Sequence, residues 1–422
     1  TAGTIVLDLK GNIIAGGTNT AINIGANAGT TGVSVTSTGN ITGTSAAGIR
    51  IVSASSGIHK VISGPINVGG QILNLSAFTT SAGGNNVTIN GDSSGRGIYS
   101  DSKGTGDNTL TINGNITNNL DNTGIAVINS SANAGNVLLD LNGSTNKNIQ
   151  ANNYSTTGTT TVDVAGSVGP TPVFGINATS VGGDIKVNVD GSITASTWGV
   201  AANNSGTGNI NITTHNIING SSNGIDAQIV NANSNGAITI NSLGTINNTG
   251  WGIYTLNSGK GNTTITTSDT VTASGAGVVG LSNGAGAGNV TITTNKDVIA
   301  GSSVGVEGDI LNASSTGNIV IKTLGNVSGT DNNGIYSLNL GTGDVEITTA
   351  VGAFDAIYAG TNSGDITIKA DSNVIGGANG ITAASAGTGL TTIDVGATVT
   401  GGAGSGILAA TPVNSTVIIN LN

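Results

Sequence analysis

The chain contains no cysteine and no methionine among its 422 residues, which excludes disulfide bonds and thiolate metal sites. Proline occurs four times and charged residues make up 8%, so neither a proline-rich linker nor a highly charged disordered chain fits. The eleven lysines and arginines are scattered, which argues against nucleic acid as a partner. No apolar run approaches the roughly 18 residues of a membrane-spanning helix, so we expect no membrane span.

The main feature of the sequence is a motif that repeats along the whole chain. Gly252-Ile253-Tyr254 opens one copy and Gly334-Ile335-Tyr336 another, and each continues through a turn rich in Ser, Gly and Asn into a second apolar–polar alternation. Sixteen such anchors recur between residues 21 and 406, at an average spacing of about 26 residues. A fixed period of this size indicates a solenoid, in which each repeat packs on its neighbours.

One copy, residues 277–300, shows what each repeat contains. Val278 to Leu281 read as a short strand, Val290-Thr291-Ile292-Thr293 alternates as a half-buried strand, and Val298-Ile299 begins a third. Three strands in about 26 residues predict an all-β, right-handed parallel β-helix with about 16 three-strand rungs. In this register we expect an internal column of stacked side chains on successive rungs, namely Ile253, Val278, Val306 and Ile335.

The unbroken period predicts a single β-helix domain over residues 1–422. Two segments are less regular. Residues 57–84 contain Gly64-Pro65, and residues 143–175 contain Gly169-Pro170. Since proline cannot donate to a strand ladder, we expect irregular or looped structure there, and loops on a solenoid often carry binding.

Tyrosine is concentrated at one repeat position, two residues after the anchor. Four of the five tyrosines occupy it, and the residue should point outward if the preceding Ile points inward. Tyrosine is favoured in interfaces because it buries a large area at modest entropic cost. Cross-rung stacking that only stabilises the sheet is the alternative. The candidate partner-binding face therefore comprises Tyr99, Tyr254, Tyr336 and Tyr358.

The sequence offers little evidence for a catalytic site or a metal site. Gly91-Asp92-Ser93-Ser94-Gly95 is similar to the segment around a serine-protease nucleophile, but it also has the composition of a tight turn. The acidic residues are scattered, and the two histidines, His59 and His215, are distant in sequence. We therefore expect no catalytic residues, no metal, no cofactor and no enzymatic activity. A carbohydrate-active β-helix enzyme remains a remote alternative.

The repeats carry a family resemblance. Gly252-Ile253-Tyr254-Thr255-Leu256-Asn257-Ser258-Gly259, followed by Thr264-Ile265-Thr266-Thr267, resembles the passenger domains of autotransporters, the type V secretion proteins of Gram-negative bacteria. The resemblance covers nearly the whole chain. It implies a passenger that is secreted or displayed on the bacterial cell surface, with its signal peptide and C-terminal β-barrel translocator outside this chain.

One subgroup that the chain resembles comprises pro-angiogenic passengers that activate vascular endothelial growth factor receptors on host cells. It implies a virulence factor that binds a host cell-surface receptor protein and acts as its agonist. We also expect the chain to be a monomer. An adhesin or a self-associating aggregation factor is the alternative. No residue of this chain matches a site motif of the family, so the resemblance assigns no binding residue.

Overall fold

A computed structural model describes residues 3–44, 47–77, 83–118, 123–219, 221–330, 333–350, 354–412 and 415–422. These residues form strands and turns and contain no helix. The strands are parallel and stack as a β-solenoid of about 15 turns with about 26 residues per turn. The predicted fold class is confirmed. The handedness of the coil stays a prediction.

Most turns of the solenoid contribute a strand to each of three faces. We call the face that follows the anchor residues face 1, the next face along the chain face 2, and the third face 3. Residues 277–300 show the pattern, with Val278–Ser282 on face 1, Val290–Thr294 on face 2 and Val298–Ala300 on face 3. The three strands predicted for this copy are therefore confirmed.

The chain divides into two compact units, residues 1–206 and residues 207–422. In the first unit, the strands of face 1 are Ile22–Ala26, Ile49–Ser53, Leu73–Ala77, Ile98–Ser102, Thr123–Asn129, Asn148–Asn153, Ile176–Ser180 and Val200–Asn204. Those of face 2 are Gly3–Leu9, Thr30–Ser37, His59–Ser63, Asn85–Asn90, Asn108–Asn113, Val137–Leu141, Thr160–Val164 and Ile185–Val189. Those of face 3 are Ile13–Ala15, Ile41–Gly43, Ile66–Val68, Ser93–Gly95, Ile116–Asn118, Val168–Thr171 and Ile193–Ala195.

In the second unit, the strands of face 1 are Ile225–Ile229, Ile253–Asn257, Val278–Ser282, Val306–Ile310, Ile335–Asn339, Ile357–Thr361, Ile381–Ser385 and Ile407–Ala410. Those of face 2 are Ile210–Thr214, Ile238–Ser242, Thr263–Thr267, Val290–Thr294, Ile319–Thr323, Val345–Thr349, Ile366–Ala370, Thr391–Val395 and Val417–Leu421. Those of face 3 are Ile217–Asn219, Ile246–Asn248, Val271–Ala273, Val298–Ala300, Val327–Ser328, Phe354–Asp355, Val374–Gly376 and Val399–Gly401.

Register along the stack places like residues over like residues. Ile253 pairs with Val278, Val278 with Val306, and Val306 with Ile335, and all four side chains are fully buried. Along most strands the first, third and fifth residues are buried, while the second and fourth reach the surface. The predicted internal column is confirmed, because a period of two sends alternate side chains to opposite sides of the sheet.

Asparagine side chains close the turns between face 1 and face 2. Asn257 Nδ2 donates to the carbonyl oxygens of Gly236 and Gly261, and its Oδ1 accepts from the Gly259 amide. Asn339, three turns later in the same column, makes the equivalent three hydrogen bonds to Gly317, Gly343 and Gly341. These bonds pair backbone groups that would otherwise be buried without a partner.

The two segments expected to be irregular differ in how far they keep the three-face pattern. Residues 57–77 contain one strand on each face, and residues 78–82 lie outside the described part. In residues 143–175, Pro170 lies within Val168–Thr171, where a register shift against the neighbouring strand accommodates the missing donor. Thr145 supplies single bridges to Ile116 and Val168 in place of a face-3 strand.

The described part of the chain contains no apolar helix of the length that a membrane crossing requires.

Candidate functional site

The candidate site lies on the outer surface of face 1 in the unit of residues 207–422. Two outward columns cross this surface, formed by the second and fourth residues of each strand. The second-residue column carries Asp226, Tyr254, Val279, Glu307, Tyr336, Tyr358, Thr382 and Leu408. The fourth-residue column carries Gln228, Leu256, Leu281, Asp309, Leu338, Gly360, Ala384 and Ala410. This surface therefore combines aromatic, aliphatic and acidic groups.

Tyr336 and Tyr358 stack on each other. They pair directly across adjacent strands, and their ring centroids lie 4.8 Å apart with an interplanar angle of 9°. Both residues are half-buried. Burial raises the pKa of the Tyr336 hydroxyl, and the charges of Asp309, Tyr358 and Glu307 add to the rise. The two rings form an aromatic platform, and the raised pKa keeps the Tyr336 hydroxyl neutral.

An open cleft of about 500 Å³ adjoins Tyr358. Its floor is formed by small residues of the fourth-residue column, because Gly360, Ala384 and Ala410 follow Leu338 on successive turns. A Cβ at position 360 would lie 3.0 Å from Leu338 Cδ1 and from the Tyr358 hydroxyl oxygen, so a larger residue would press on both side chains. Polar residues also line the cleft, namely Thr361, Asn362, Ser385 and Thr411. The side chains of Thr361 and Ser385 are buried, and their hydroxyls donate to the carbonyls of Gly343 and Gly387.

Glu307 and Asp309 form an acidic pair on the strand that precedes Tyr336. Asp309 is only 5% exposed, and its Oδ1 accepts a hydrogen bond of 2.9 Å from the backbone amide of Leu338. Burial raises the pKa of Asp309 to about 8, and the nearby Glu307 charge adds to the rise. Burial also raises the pKa of Glu307, and a hydrogen bond from Asp309 opposes it. The pair therefore retains a proton at neutral pH.

Tyr254 lies three turns before Tyr336 in the second-residue column, separated by Val279 and Glu307. Its ring packs on Trp251 at 5.3 Å, tilted by 56°. Burial raises the pKa of the Tyr254 hydroxyl, as do the charges of Asp226 and Glu307. Asp226 accepts 2.8 Å hydrogen bonds from Asn223 and Gln228.

Tyr99 belongs to the other unit, at the equivalent position of strand Ile98–Ser102. Its hydroxyl donates to Asp101 Oδ2 at 3.4 Å, and Asp101 Oδ1 also accepts from Ser130 Oγ. Of the four tyrosines named from the sequence, the structure thus brings together Tyr336 and Tyr358. Tyr254 stands apart from them in the same unit, and Tyr99 is tied to its own local network.

A serine–histidine–asparagine network lies inside the first unit. Ser55 Oγ is 2.9 Å from His59 Nε2, and His59 Nδ1 is 3.1 Å from Asn85 Oδ1. This is the connectivity of a nucleophile, a base and an orienting residue. All three side chains are at most 1% exposed, so a substrate has no access to the serine. Burial lowers the pKa of His59, which keeps the imidazole neutral, as a buried structural network requires.

The Gly91–Gly95 segment has a structural role. Ser93 is buried in strand Ser93–Gly95, and its Oγ accepts a hydrogen bond from the Ile66 amide. Asp92 Oδ1 accepts from the Asn115 amide at 2.8 Å. Among the described residues, no group of three or more His, Cys, Asp or Glu side chains is arranged to hold a metal ion.

Sequence reasoning missed Asp309 and the cleft. Asp309 is two residues after Glu307, so the same alternation that places Glu307 outside places Asp309 outside as well. A reading of the fourth-residue column would have shown the acidic pair and the run of small residues beyond Leu338. The burial of Asp309 could not be predicted from this column, because residues of the neighbouring turns cover it.

The fold and this surface define a parallel β-solenoid protein with an aromatic and acidic outer face. Comparison of the chain with protein-family models, curated proteins and solved structures finds no significant match.

Proposed function

We propose that this chain binds a host cell-surface receptor protein through face 1 of residues 207–422. The observation that carries the proposal is the Tyr336–Tyr358 stack beside an open apolar cleft. Binding hot spots favour rigid aromatic side chains next to a pocket that an anchor from the partner can fill. The stack is already ordered in the free chain, so little side-chain entropy is lost when a partner binds.

Charge indicates what kind of partner surface fits. The described outward residues of this face carry Asp226, Glu307 and Asp309 but no lysine or arginine. An apolar or aromatic anchor would enter the cleft, while a basic side chain would approach Glu307. A partner patch that combines these groups is the complementary surface.

The remaining parts of the proposal rest on the resemblance of the repeats to autotransporter passengers. In this proposal the chain is a virulence factor, secreted or displayed on the bacterial cell surface. A vascular endothelial growth factor receptor is the candidate partner, and activation of that receptor is the pro-angiogenic effect. The competing proposal is an adhesin or a self-associating aggregation factor.

The first experiment applies the purified chain to endothelial cells and measures receptor tyrosine phosphorylation over a range of concentrations. For the double variant Tyr336→Ala/Tyr358→Ala, we expect the concentration that gives a half-maximal response to rise about tenfold or more, because the aromatic platform is removed. Tyr154→Ala is the matched control, since Tyr154 is 50% exposed, lies in the other unit and should leave the response unchanged. Circular dichroism checks that each variant keeps its β signal.

The outcomes separate the alternatives. A saturable signal that the double variant loses supports the receptor proposal. Cells that bind the chain without phosphorylation indicate an adhesin, and aggregation of bacteria displaying it indicates self-association. Equal responses from the double variant and the wild type would exclude the Tyr336–Tyr358 surface as the binding site.

A further inference from the structure

We infer that the turns around Trp251 form a binding subsite for a neutral oligosaccharide. The subsite is a surface depression of about 410 Å³ in the unit of residues 207–422, at the corner that leads from face 3 to face 1. It is separate in its lining from the cleft beside Tyr358. Its volume is within the range of roughly 300–1,000 Å³ that is typical of small-molecule sites.

Trp251 supplies an exposed aromatic surface. Trp251 is 41% exposed as a residue, although large aromatic side chains are usually well buried. It lies against Gly275 of the following turn, where any side chain would collide with the indole ring. The Tyr254 ring packs on it from the side. The indole is therefore held in place by its neighbours and still presents area to solvent.

Hydroxyl groups surround the indole on four successive turns, on Ser222, Thr249, Ser274 and Ser302. The backbone bonds from Ser274 to Asn248 and from Gly301 to Ala273 place these turns in register. Three spacings of about 4.8 Å make the row roughly 14 Å long, which suits an extended ligand. Within the described part of the chain, none of these four hydroxyls has a protein hydrogen-bond partner. Each hydroxyl can therefore donate a hydrogen bond to a ligand and accept one from it.

An aromatic ring bordered by hydroxyls matches the chemistry of a sugar. A pyranose presents C–H groups on its face, which pack on an indole, and hydroxyls around its edge, which bond to serine and threonine. An apolar protein side chain would leave the row of hydroxyls without partners, at a cost in affinity. The combination therefore favours a saccharide over an apolar peptide anchor.

Charge selects a neutral sugar. The lining residues carry no charged side chain, and the whole chain has a net charge of −10. A sulfated or carboxylated glycan would meet no cation in this depression and would be repelled by the overall charge. A neutral hexose or N-acetylhexosamine oligomer has no such penalty.

Tryptophan fluorescence tests the inference directly, because the chain has only two tryptophans, Trp198 and Trp251. Trp198→Phe leaves Trp251 as the sole reporter. This variant is titrated with lactose, maltotriose and triacetylchitotriose, and with a sulfated heparin disaccharide for comparison. We expect a saturable change in emission with at least one neutral sugar, at a Kd of about 1 mM or tighter. We expect none with the sulfated sugar.

Saturation-transfer NMR on the wild-type chain provides a second readout that does not depend on fluorescence. Ser274→Ala and Ser302→Ala, each in the Trp198→Phe background, should weaken binding roughly fivefold by removing a hydrogen bond. Ser363→Ala, at an exposed serine on another corner of the same unit, is the matched control and should bind normally. Trp251→Ala should abolish the NMR signal.

Absence of saturable binding in both readouts, with all three neutral sugars, would overturn the inference. So would equal binding of the sulfated sugar, or unchanged affinity in both serine variants. The inference does not depend on the receptor proposal. Loss of cell signalling in Tyr336→Ala/Tyr358→Ala with sugar binding intact would show that the two surfaces act separately.

Discussion

Glu307 and Asp309 show how one turn of the solenoid can hold a proton that a free carboxyl would lose. Both point outward from one strand, two residues apart, and neighbouring turns cover Asp309. A buried carboxylate loses hydration, and a second negative charge nearby adds to the cost of ionisation. The pKa of Asp309 therefore rises to about 8 from 3.8.

The pair should make stability depend on pH. Between pH 3.8 and about pH 8, Asp309 is ionised in the unfolded state but keeps its proton in the folded state. Stability from this group is therefore complete below about pH 4 and is lost as pH rises through 8. Asp309→Asn mimics the protonated form and should be more stable than the wild type at pH 9, by about 2 kcal/mol or more.

Thermal melts at pH 4, 6.5 and 9 measure this effect. The variant and the wild type should agree at pH 4 and diverge with rising pH. Glu346→Gln, at an exposed carboxylate on face 2, is the control and should show no such divergence. A difference between Asp309→Asn and the wild type that is the same at all three pH values would contradict the assignment.

Buried threonines without hydrogen-bond partners form an internal row at the ends of face-2 strands. Thr267, Thr294, Thr323 and Thr349 pair in register on successive strands, are fully buried, and have Oγ1 atoms without a partner. Removing an unsatisfied buried hydroxyl while keeping the side-chain shape should stabilise the fold.

Thr294→Val is therefore expected to raise the free energy of unfolding by about 1 kcal/mol. Denaturant titration followed by circular dichroism measures it. Thr293→Val, on the outward side of the same strand, is the matched control and should change stability by less than about 0.5 kcal/mol. A loss of stability in Thr294→Val would mean that the hydroxyl has a partner in solution.

At the scale of the element, asparagines at the ends of several face-1 strands close the corners that follow. Asn339 bonds to Gly317 of the preceding turn and to Gly341 and Gly343 of its own. The amide thus links adjacent coils as well as closing its own corner. A strand ladder alone pairs strands, but it leaves the backbone of the corners without partners.

Asn339→Ala should destabilise the chain by about 3 kcal/mol, because three buried hydrogen bonds are lost. Differential scanning calorimetry would record a lower Tm. Asn283→Ala is the control, since Asn283 is an exposed asparagine in the corresponding turn after Val278–Ser282. Equal melting temperatures for the two variants would assign the stability of these corners to the backbone alone.

At the scale of the whole molecule, backbone pairing and apolar columns hold the chain together, and ion pairs contribute little. The described residues contain two salt bridges, Lys186–Asp163 at 3.6 Å and Lys369–Asp371 at 3.0 Å. All four side chains are substantially exposed, so water and salt screen them. Outward threonine, serine and asparagine side chains keep the surface polar in a chain with only 8% charged residues.

Raising sodium chloride to about 1 M, where the screening length falls to about 3 Å, should therefore shift the Tm by less than about 2 °C. Sodium chloride is preferred to sulfate, because sulfate also strengthens apolar burial. Thermal melts over a salt series measure the effect. A fall of several degrees would show that charge pairs matter more to stability than the two exposed bridges suggest.

The sequence by itself determined the solenoid, the period of about 26 residues, the three strands of a turn and the inward column from Ile253 to Ile335. These features depend on alternation and spacing, which are local properties repeated many times. It also indicated Tyr336 and Tyr358 as neighbours, since both occupy the same repeat position.

The tertiary structure decided the properties that require side chains from several turns at once. The protonation of Asp309 depends on burial by adjacent coils, and the cleft depends on three small residues in successive strands. The depression at Trp251 needs four corners in register and a glycine beneath the indole. The repeat period predicts which residues share a column, but packing between neighbouring columns decides which of them remain exposed.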